Sequence, residues 1–343
     1  MTAPVNTSRL TVYPREETPE RPLISIIAPC YNESETVDLF VKTISGVLAS
    51  GKFDYELVFV DDGSADDTRQ RLEALAASHE NVYIIALSRN FGKEAALTAG
   101  LDYARGDAVV VIDVDLQDPP ELILDFVSKW REGYDVVYAI REDRQSDTAA
   151  KRVTAGGFYQ LFNKISATRI PENAGDYRLM DRRVVETIKS LPERSRFMKG
   201  LFAWVGYKAI GVPYVRPERS AGETKFNFWR LWNFALDGIT SFSTAPLRVW
   251  TYFGGVVAVL SLVYALAIVL RTLIFGIDVP GYASLLVFVL FFGSIQMISV
   301  GVLGEYIARL FVEVKRRPVY VIDDVIGDNR NTIESKSEKS ARA

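Results

Sequence analysis

The chain has 343 residues, 48% of them apolar and 24% charged, a balance that excludes disorder and allows one large domain or two smaller ones. One cysteine, Cys30, and one histidine, His79, exclude an internal disulfide framework, a cysteine-based zinc site and a His-rich metal site. A net charge of −3 gives no basis for nucleic-acid binding, yet the mean hydropathy is +0.07 with 40 basic and 43 acidic residues, so charges and apolar runs must be segregated.

Residues 1–21 are polar and lack an apolar signal core, so the part that follows is expected to stay in the cytosol. Short β-branched runs at residues 23–28, 55–60, 82–87, 108–112 and 136–140 then alternate with helix-like segments at 34–49, 66–77, 94–105 and 121–130. In the first helix Val37, Phe40, Val41, Ile44 and Leu48 recur at helical spacing. The alternation predicts an α/β fold, a parallel sheet with helices on both faces. Continuous apolar strands fit a sheet covered on both sides. Ligands of such sheets bind at the carboxyl ends of the strands, which points to the loops at 29–33, 61–64, 88–93 and 113–120. His79, between a helix and a strand, is expected at the surface.

These loops hold the polar outliers. Asp61 and Asp62 end a buried strand, where carboxylates serve binding rather than packing, while Ser64 or Asp66 can cap the next helix. Carboxylates and an aromatic ring at this edge can accept from a base N–H and stack on its ring. In Asp113-Val114-Asp115-Leu116-Gln117-Asp118-Pro119-Pro120, alternate residues at a strand end point the same way. Asp113, Asp115 and Gln117 are thus expected to present oxygens to one hard cation, Mg²⁺ or Mn²⁺, on a diphosphate.

Further along, Arg141, Arg144, Lys151 and Arg152 form one basic cluster, and Arg216, Arg219 and Lys225 a second. Both read as a solvated face, as contacts for anionic lipid headgroups, or as a clamp for a phosphate. Residues 226–242 read as an amphipathic helix, lying at a membrane interface or packed on the α/β domain. Residues 249–270 and 279–304 carry no charge, and each is long enough to cross a hydrocarbon core of roughly 30 Å. Arg248 and Lys315-Arg316-Arg317 flank them, so both long flanks are expected in the cytosol. Spans without internal charge argue against an ion path, and Gly254 with Ala258 permits span packing in a homo-oligomer. The expected layout is a polar arm at 1–21, a cytosolic α/β domain at 22–225, a juxtamembrane helix at 226–247, two transmembrane helices within 248–311 (about 249–270 and 280–304), and a cytosolic tail at 312–343 with a disordered end.

Four motifs in this order carry a resemblance: Ala28-Pro29-Cys30-Tyr31-Asn32-Glu33, Val60-Asp61-Asp62-Gly63-Ser64, Ser88-Arg89-Asn90-Phe91-Gly92-Lys93 and the Asp113 to Pro120 loop. Together they resemble the family 2 glycosyltransferases of the GT-A fold, in particular the polyprenyl-phosphate hexosyltransferases. The two spans and Gly304-Glu305-Tyr306-Ile307-Ala308-Arg309 look like bacterial bactoprenol glucosyltransferases of the GtrB type. The resemblance implies nucleotide binding at Pro29, Tyr31, Glu33, Asp61 and Asp113, and a divalent metal at Asp113, Asp115 and Gln117. It implies lipid-phosphate binding at Arg141, Arg152, Arg219 and Lys225. Asp176, in Gly175-Asp176-Tyr177-Arg178-Leu179, is expected near sugar and acceptor, orienting a hydroxyl or an arginine, with a base role as the alternative.

The expected function is inverting transfer of glucose from UDP-glucose to undecaprenyl phosphate at the cytosolic face of the plasma membrane. The alternatives are a GDP-mannose:dolichyl-phosphate mannosyltransferase and a membrane-tethered nucleotide-binding module without catalysis.

Overall fold

The apolar runs of the N-terminal half form strands because their β-branched side chains are buried on both sheet faces. A computed structural model describes residues 13–15, 17–142, 163, 166, 168, 170–171, 174–215, 240, 243–276 and 281–327. The chain divides into two units, a sheet with its helices and a pair of long apolar helices.

The first unit opens with β1 (Leu23–Cys30), α1 (Val37–Leu48), β2 (Asp54–Asp61), α2 (Thr68–Ser78), β3 (Val82–Leu87), α3 (Lys93–Tyr103), β4 (Ala108–Val111) and α4 (Leu122–Arg131). It continues with β5 (Val136–Arg141), β6 (Ala174–Asp181), α5 (Arg182–Ser190), α6 (Met198–Trp204), β7 (Ala209–Tyr214) and, after the long helices, β8 (Ile322–Ile326). The strand order is β7-β5-β6-β4-β1-β2-β3-β8. Strands β1 to β4 are mutually parallel, β5 is parallel to β7, and only β6 and β8 run antiparallel to their neighbours among the described residues. The GT-A type of mostly parallel sheet is therefore present.

Chain order reverses at β1, with β2 and β3 on one side and β4 on the other. Such a reversal opens a crevice at the carboxyl ends of the strands. The register pairs Cys30 with Asp61 and Ile27 with Val111, so the loops after β1, β2 and β4 leave from one edge.

Helix α1 buries Val37, Phe40, Val41, Ile44 and Leu48, the expected stripe. At about 1.5–3 kcal/mol per fully buried side chain, this outweighs the roughly 1 kcal/mol forgone because Thr36 gives no side-chain cap. Helix α3 lies tight on the sheet, since a Cβ on Gly100 would stand 2.4 Å from Ile27 Cγ2. Helix α4 buries Phe126 and Trp130, and Trp130 Nε1–H donates to Asp181 on β6 at 2.7 Å.

Several boundaries differ from expectation. Strand β1 runs on through Pro29 to Cys30. The side of Pro29 that lacks an N–H faces β4, past the last β1–β4 pair of Ile27 with Val111, so no ladder bond is lost. Helix α1 starts at Val37 because residues 33–36 form a turn, with Thr36 N–H donating to the Glu33 carbonyl at 3.0 Å. Strand β8 falls in the region expected to be only a tail. It pairs Ile84 with Ile326 and Ile85 with Val325, and Arg69 reaches Asp323 at 2.6 Å while Tyr320 O–H donates to Asp102 at 2.7 Å. It thereby covers the open edge of β3.

The second unit contains α7 (Ala245–Phe275) and α8 (Tyr282–Lys315), of 31 and 34 residues. At 1.5 Å per residue they are roughly 46 and 51 Å long, more than a hydrocarbon core of about 30 Å needs. The most apolar 18-residue windows of Leu247–Phe275 and Val287–Lys315 have mean hydropathies of 2.6 and 2.1, and no described residue in them is buried. Both are long and apolar enough to cross a membrane. Within this unit Tyr306 O–H donates to the Ser243 carbonyl at 2.7 Å. The amphipathic stretch expected at 226–242 lies outside the described residues except for Thr240.

Candidate active site

The loops after β1 and β2 are stitched together by short polar side chains. Asn32 adopts the left-handed region, with φ 56°, which asparagine tolerates better than most residues. Its N–H donates to Ser64 Oγ at 2.9 Å, and its Oδ1 accepts from Ala65 N–H at 2.8 Å. Glu33 N–H donates to Thr68 Oγ1 at 2.8 Å, and Asp66 accepts from the N–H groups of Ser34 and Thr68. Of the two residues expected to cap α2, Asp66 accepts from the helix's first N–H, just outside the N-cap position Asp67, and Ser64 instead binds the first loop. Tyr31 is left 47% exposed, its ring open to a stacking partner.

Asp61 is buried at the end of β2 and accepts from Ser64 N–H at 3.1 Å. Asp62 has a different task from the binding role expected of it. Its carboxylate, also buried, accepts from the N–H groups of Phe91 at 2.7 Å and Gly92 at 2.9 Å. Asp62 therefore shapes the loop after β3. That loop needs Gly63 as well, because the backbone at Arg89 and Asn90 passes where a Cβ would stand, 2.4 Å from the Arg89 carbonyl carbon. Gly92 (φ 98°) then turns the chain into α3, whose first residue is Lys93.

The metal-type loop is a turn rather than an extension of β4. The strand ends at Val111, Leu116 takes φ 53°, and Gln117 N–H donates to Asp115 Oδ1 at 3.1 Å. The strand alternation expected for Asp113, Asp115 and Gln117 therefore does not apply; a local turn gathers Asp115 and Gln117. Asp118 is buried and accepts from Tyr214 O–H on β7, while Tyr177 O–H on β6 holds the Pro119 carbonyl at 2.9 Å.

Asp113 and Asp176 meet at Lys93. Lys93 Nζ lies 2.7 Å from Asp113 Oδ1 and 3.0 Å from Asp176 Oδ2. Burial alone would raise the Asp176 carboxyl, but the charges of Lys93 and Lys199 hold it well below the usual carboxylate range. Lys93 is raised: burial opposes its charge, and Asp176 with Asp113 more than offsets that. Next to it, the Glu94 carboxyl is pushed up to about 7 by burial and by the charge of Asp176, even though it accepts from Met198 N–H at 3.1 Å. The Glu33 carboxyl is raised as well, by burial first, with Thr36 opposing and Asp115 and Asp113 contributing. Glu33 thus belongs to the same electrostatic cluster as the Asp113 loop.

The donor set suits a cation carried by a diphosphate. Two carboxylates and one amide oxygen are hard ligands, and Mg²⁺ at such sites commonly takes only one or two carboxylates plus substrate phosphates. The described residues hold no group of three or more His, Cys, Asp or Glu that could hold a metal ion.

Of the expected lipid-phosphate residues, Arg141 ends β5 and donates from Nε to Tyr214 Oη at 3.0 Å, with Nη2 3.8 Å from Asp118. Arg141 is thereby tied through Tyr214 to the Asp113–Pro120 loop. Arg152, Arg219 and Lys225, with Arg144, Lys151 and Arg216, lie outside the described residues. Lys93, Glu94, Asp118 and Tyr214 were not singled out by sequence reasoning. For Lys93 a signal existed: a cation at a helix start opposes the macrodipole by about 0.3–1 kcal/mol, so its presence there calls for a carboxylate partner.

Residues 25–189 match Glycosyl transferase family 2, and residues 245–310 match the GtrB C-terminal hairpin. The chain is 54% identical over 302 residues to the prophage bactoprenol glucosyl transferase homolog of Escherichia coli (strain K12), covering 88% of this chain and 99% of that one. It is also 54% identical over 299 residues to the bactoprenol glucosyl transferase of Shigella phage SfII, covering 87% and 97%. Among solved structures, a mannosyltransferase from Pyrobaculum calidifontis in complex with GDP-Man and Mn²⁺ is similar at 18% identity and a TM-score of 0.45, over 88% of this chain and 90% of that one. The chain belongs to glycosyl transferase family 2 and is a glycosyltransferase that carries a GtrB C-terminal helical hairpin.

Proposed function

We propose that the protein transfers glucose from UDP-glucose to undecaprenyl phosphate at the cytosolic face of the plasma membrane, giving a lipid-linked monophosphate sugar. The observation that carries this reading is 54% identity, over nearly the full length of both chains, to proteins named bactoprenol glucosyl transferases. The geometry supports it. Tyr31, Glu33 and Asp61 stand at the strand edge where a nucleoside would lie, with Asp113, Asp115 and Gln117 beside them for the donor diphosphate.

A bound Mg²⁺ or Mn²⁺ would offset the charge that develops on the departing diphosphate. The residues of the chain do the rest. Arg141, held by Tyr214 and Asp118, is the described member of the acceptor clamp; Arg152, Arg219 and Lys225, outside the described residues, are its further members by sequence alone. A phosphate monoester, with a second pKa of about 6, arrives largely ionised. Its oxygen attacks the anomeric carbon, the bond from that carbon to the UDP oxygen breaks, and the electron pair leaves with UDP. No proton has to be removed. Asp176, kept ionised by Lys93 and Lys199, is a weak base and orients sugar or acceptor instead. Binding both partners at the right angle and distance is then the main contribution to rate.

Helices α7 and α8 anchor the site to the bilayer. The chain leaves the first unit before α7 and rejoins its sheet at β8, which supports an even number of crossings. Arg248 and Lys315-Arg316-Arg317 support a cytosolic position for that unit.

The test is transfer from a panel of labelled nucleotide sugars to undecaprenyl phosphate by the purified full-length protein, with and without EDTA. Lipid-linked glucose formed from UDP-glucose, lost with EDTA and restored by Mg²⁺ or Mn²⁺, is expected. Equal or better transfer from another donor would reject UDP-glucose, and no lipid product from any donor would reject the reaction.

A further inference from the structure

Lys93 joins two carboxylates that arrive from different strands. Asp113 follows β4, and Asp176 lies on β6, the antiparallel neighbour of β4. The ammonium stands within 2.7 and 2.9 Å of both Asp113 oxygens and 3.0 Å from Asp176. Its backbone is fixed from behind, because Asp62 holds the N–H groups of Phe91 and Gly92 immediately before it. This arrangement is therefore built into the loop and is not a chance pairing of a long side chain.

The same Asp113 is a carboxylate offered to the divalent cation. Both of its oxygens already face a positive charge, and a second cation at that carboxylate would be repelled by the first. A donor diphosphate changes the balance: it brings its own negative charge and oxygen ligands, and draws both cations to itself. We propose that Lys93 is a positioning residue that occupies Asp113 in the donor-free site and makes divalent-cation binding conditional on the donor's diphosphate. This rests on Asp113 and Asp115 being the cation's carboxylates. Lys93 releases Asp113 when donor and cation enter together, and it keeps Asp176 in place throughout.

The test is Mn²⁺ titration of the full-length protein in detergent, followed by the free-Mn²⁺ EPR signal with and without UDP and corrected for Mn²⁺ held by UDP alone. For wild type, UDP should tighten Mn²⁺ binding by about tenfold or more. Lys93→Met should bind Mn²⁺ alone about tenfold tighter than wild type, shrinking the UDP effect to about threefold or less, whereas Lys93→Arg should behave as wild type. If Lys93→Met does not fold, Lys93→Gln carries the same expectation. Asp113→Asn separates the two layers of the argument. If it loses Mn²⁺ binding while neutral Lys93 variants bind Mn²⁺ alone no tighter than wild type, the Lys93 proposal is overturned and the cation reading stands. If Asp113→Asn binds Mn²⁺ with UDP as tightly as wild type, the cation reading fails and takes the proposal with it.

Discussion

Replacing Asp62 by Asn tests whether a buried carboxylate, rather than loop composition, shapes the approach to the site. Asp62 is 4% exposed and accepts from Phe91 N–H at 2.7 Å and Gly92 N–H at 2.9 Å. Asn keeps one acceptor oxygen and turns an NH₂ toward the other backbone donor. A hydrogen bond to a charged group is worth about 1.5–3 kcal/mol, and an unsatisfied buried donor costs about 1–3 kcal/mol. The two overlap, so a net loss of about 3 kcal/mol is expected for the loop after β3. At about 1.4 kcal/mol per factor of ten, local opening should rise roughly a hundredfold. Hydrogen exchange of a peptide spanning Phe91 and Gly92 reads this directly, where exchange follows the opening equilibrium. The donor KM should rise too, because Lys93 follows those two amides. An increase in exchange below about threefold, with an unchanged donor KM, would refute this account of Asp62.

Gly63→Ala should be severe, since φ is 66° and the new Cβ would meet the backbone of Arg89 at 2.4 Å and Asn90 at 2.6 Å. A cost of about 3 kcal/mol should lower the melting temperature by roughly 5–10 °C and weaken UDP binding; an unchanged melt contradicts the close approach. Tyr214→Phe removes the hydroxyl that Arg141 and Asp118 share. The KM for undecaprenyl phosphate should rise about tenfold with the donor KM nearly unchanged, and equal rises in both would remove Arg141 from the acceptor side. Glu94 predicts a pH dependence. Its folded carboxyl titrates at about 7 against an ordinary 4.5, so the folded state holds the proton more tightly than the unfolded one. Stability should fall as pH rises from about 4.5 to about 7, by about 3 kcal/mol at most, and Glu94→Gln should remove that slope. Melting curves across this range check it, and parallel profiles for the two proteins would be the contrary result.

The parallel half of the sheet was legible because each strand is a continuous apolar run, and because α1 repeats its buried residues at a helical period. Asp61, Asp113 and Asp115 were legible as polar residues at the ends of such runs. Other features depend on partners distant in sequence. Strand β6, residues 174–181, inserts antiparallel between β4 and β5, and no local pattern specifies that neighbour. Asp62 looked like its neighbour Asp61, yet its partners are amides about 30 residues away. The turn at Leu116 was hidden because leucine is not a residue that announces a left-handed backbone. Strand β8, Ile322–Ile326, carries two adjacent aspartates and reads as polar; its pairing comes from the free edge of β3.

The position of β8 also sets an order of manufacture. Strand β3 is complete at Leu87, but its outer neighbour is not made until Ile326, about 240 residues later. At roughly 5–20 residues per second, a ribosome leaves that edge open for about 10–50 s. During that interval both long apolar helices are synthesised. The catalytic sheet therefore cannot be finished in the nascent chain until the hairpin has been made, and a protein interrupted within the hairpin would carry an exposed edge strand, the kind of surface on which chains aggregate.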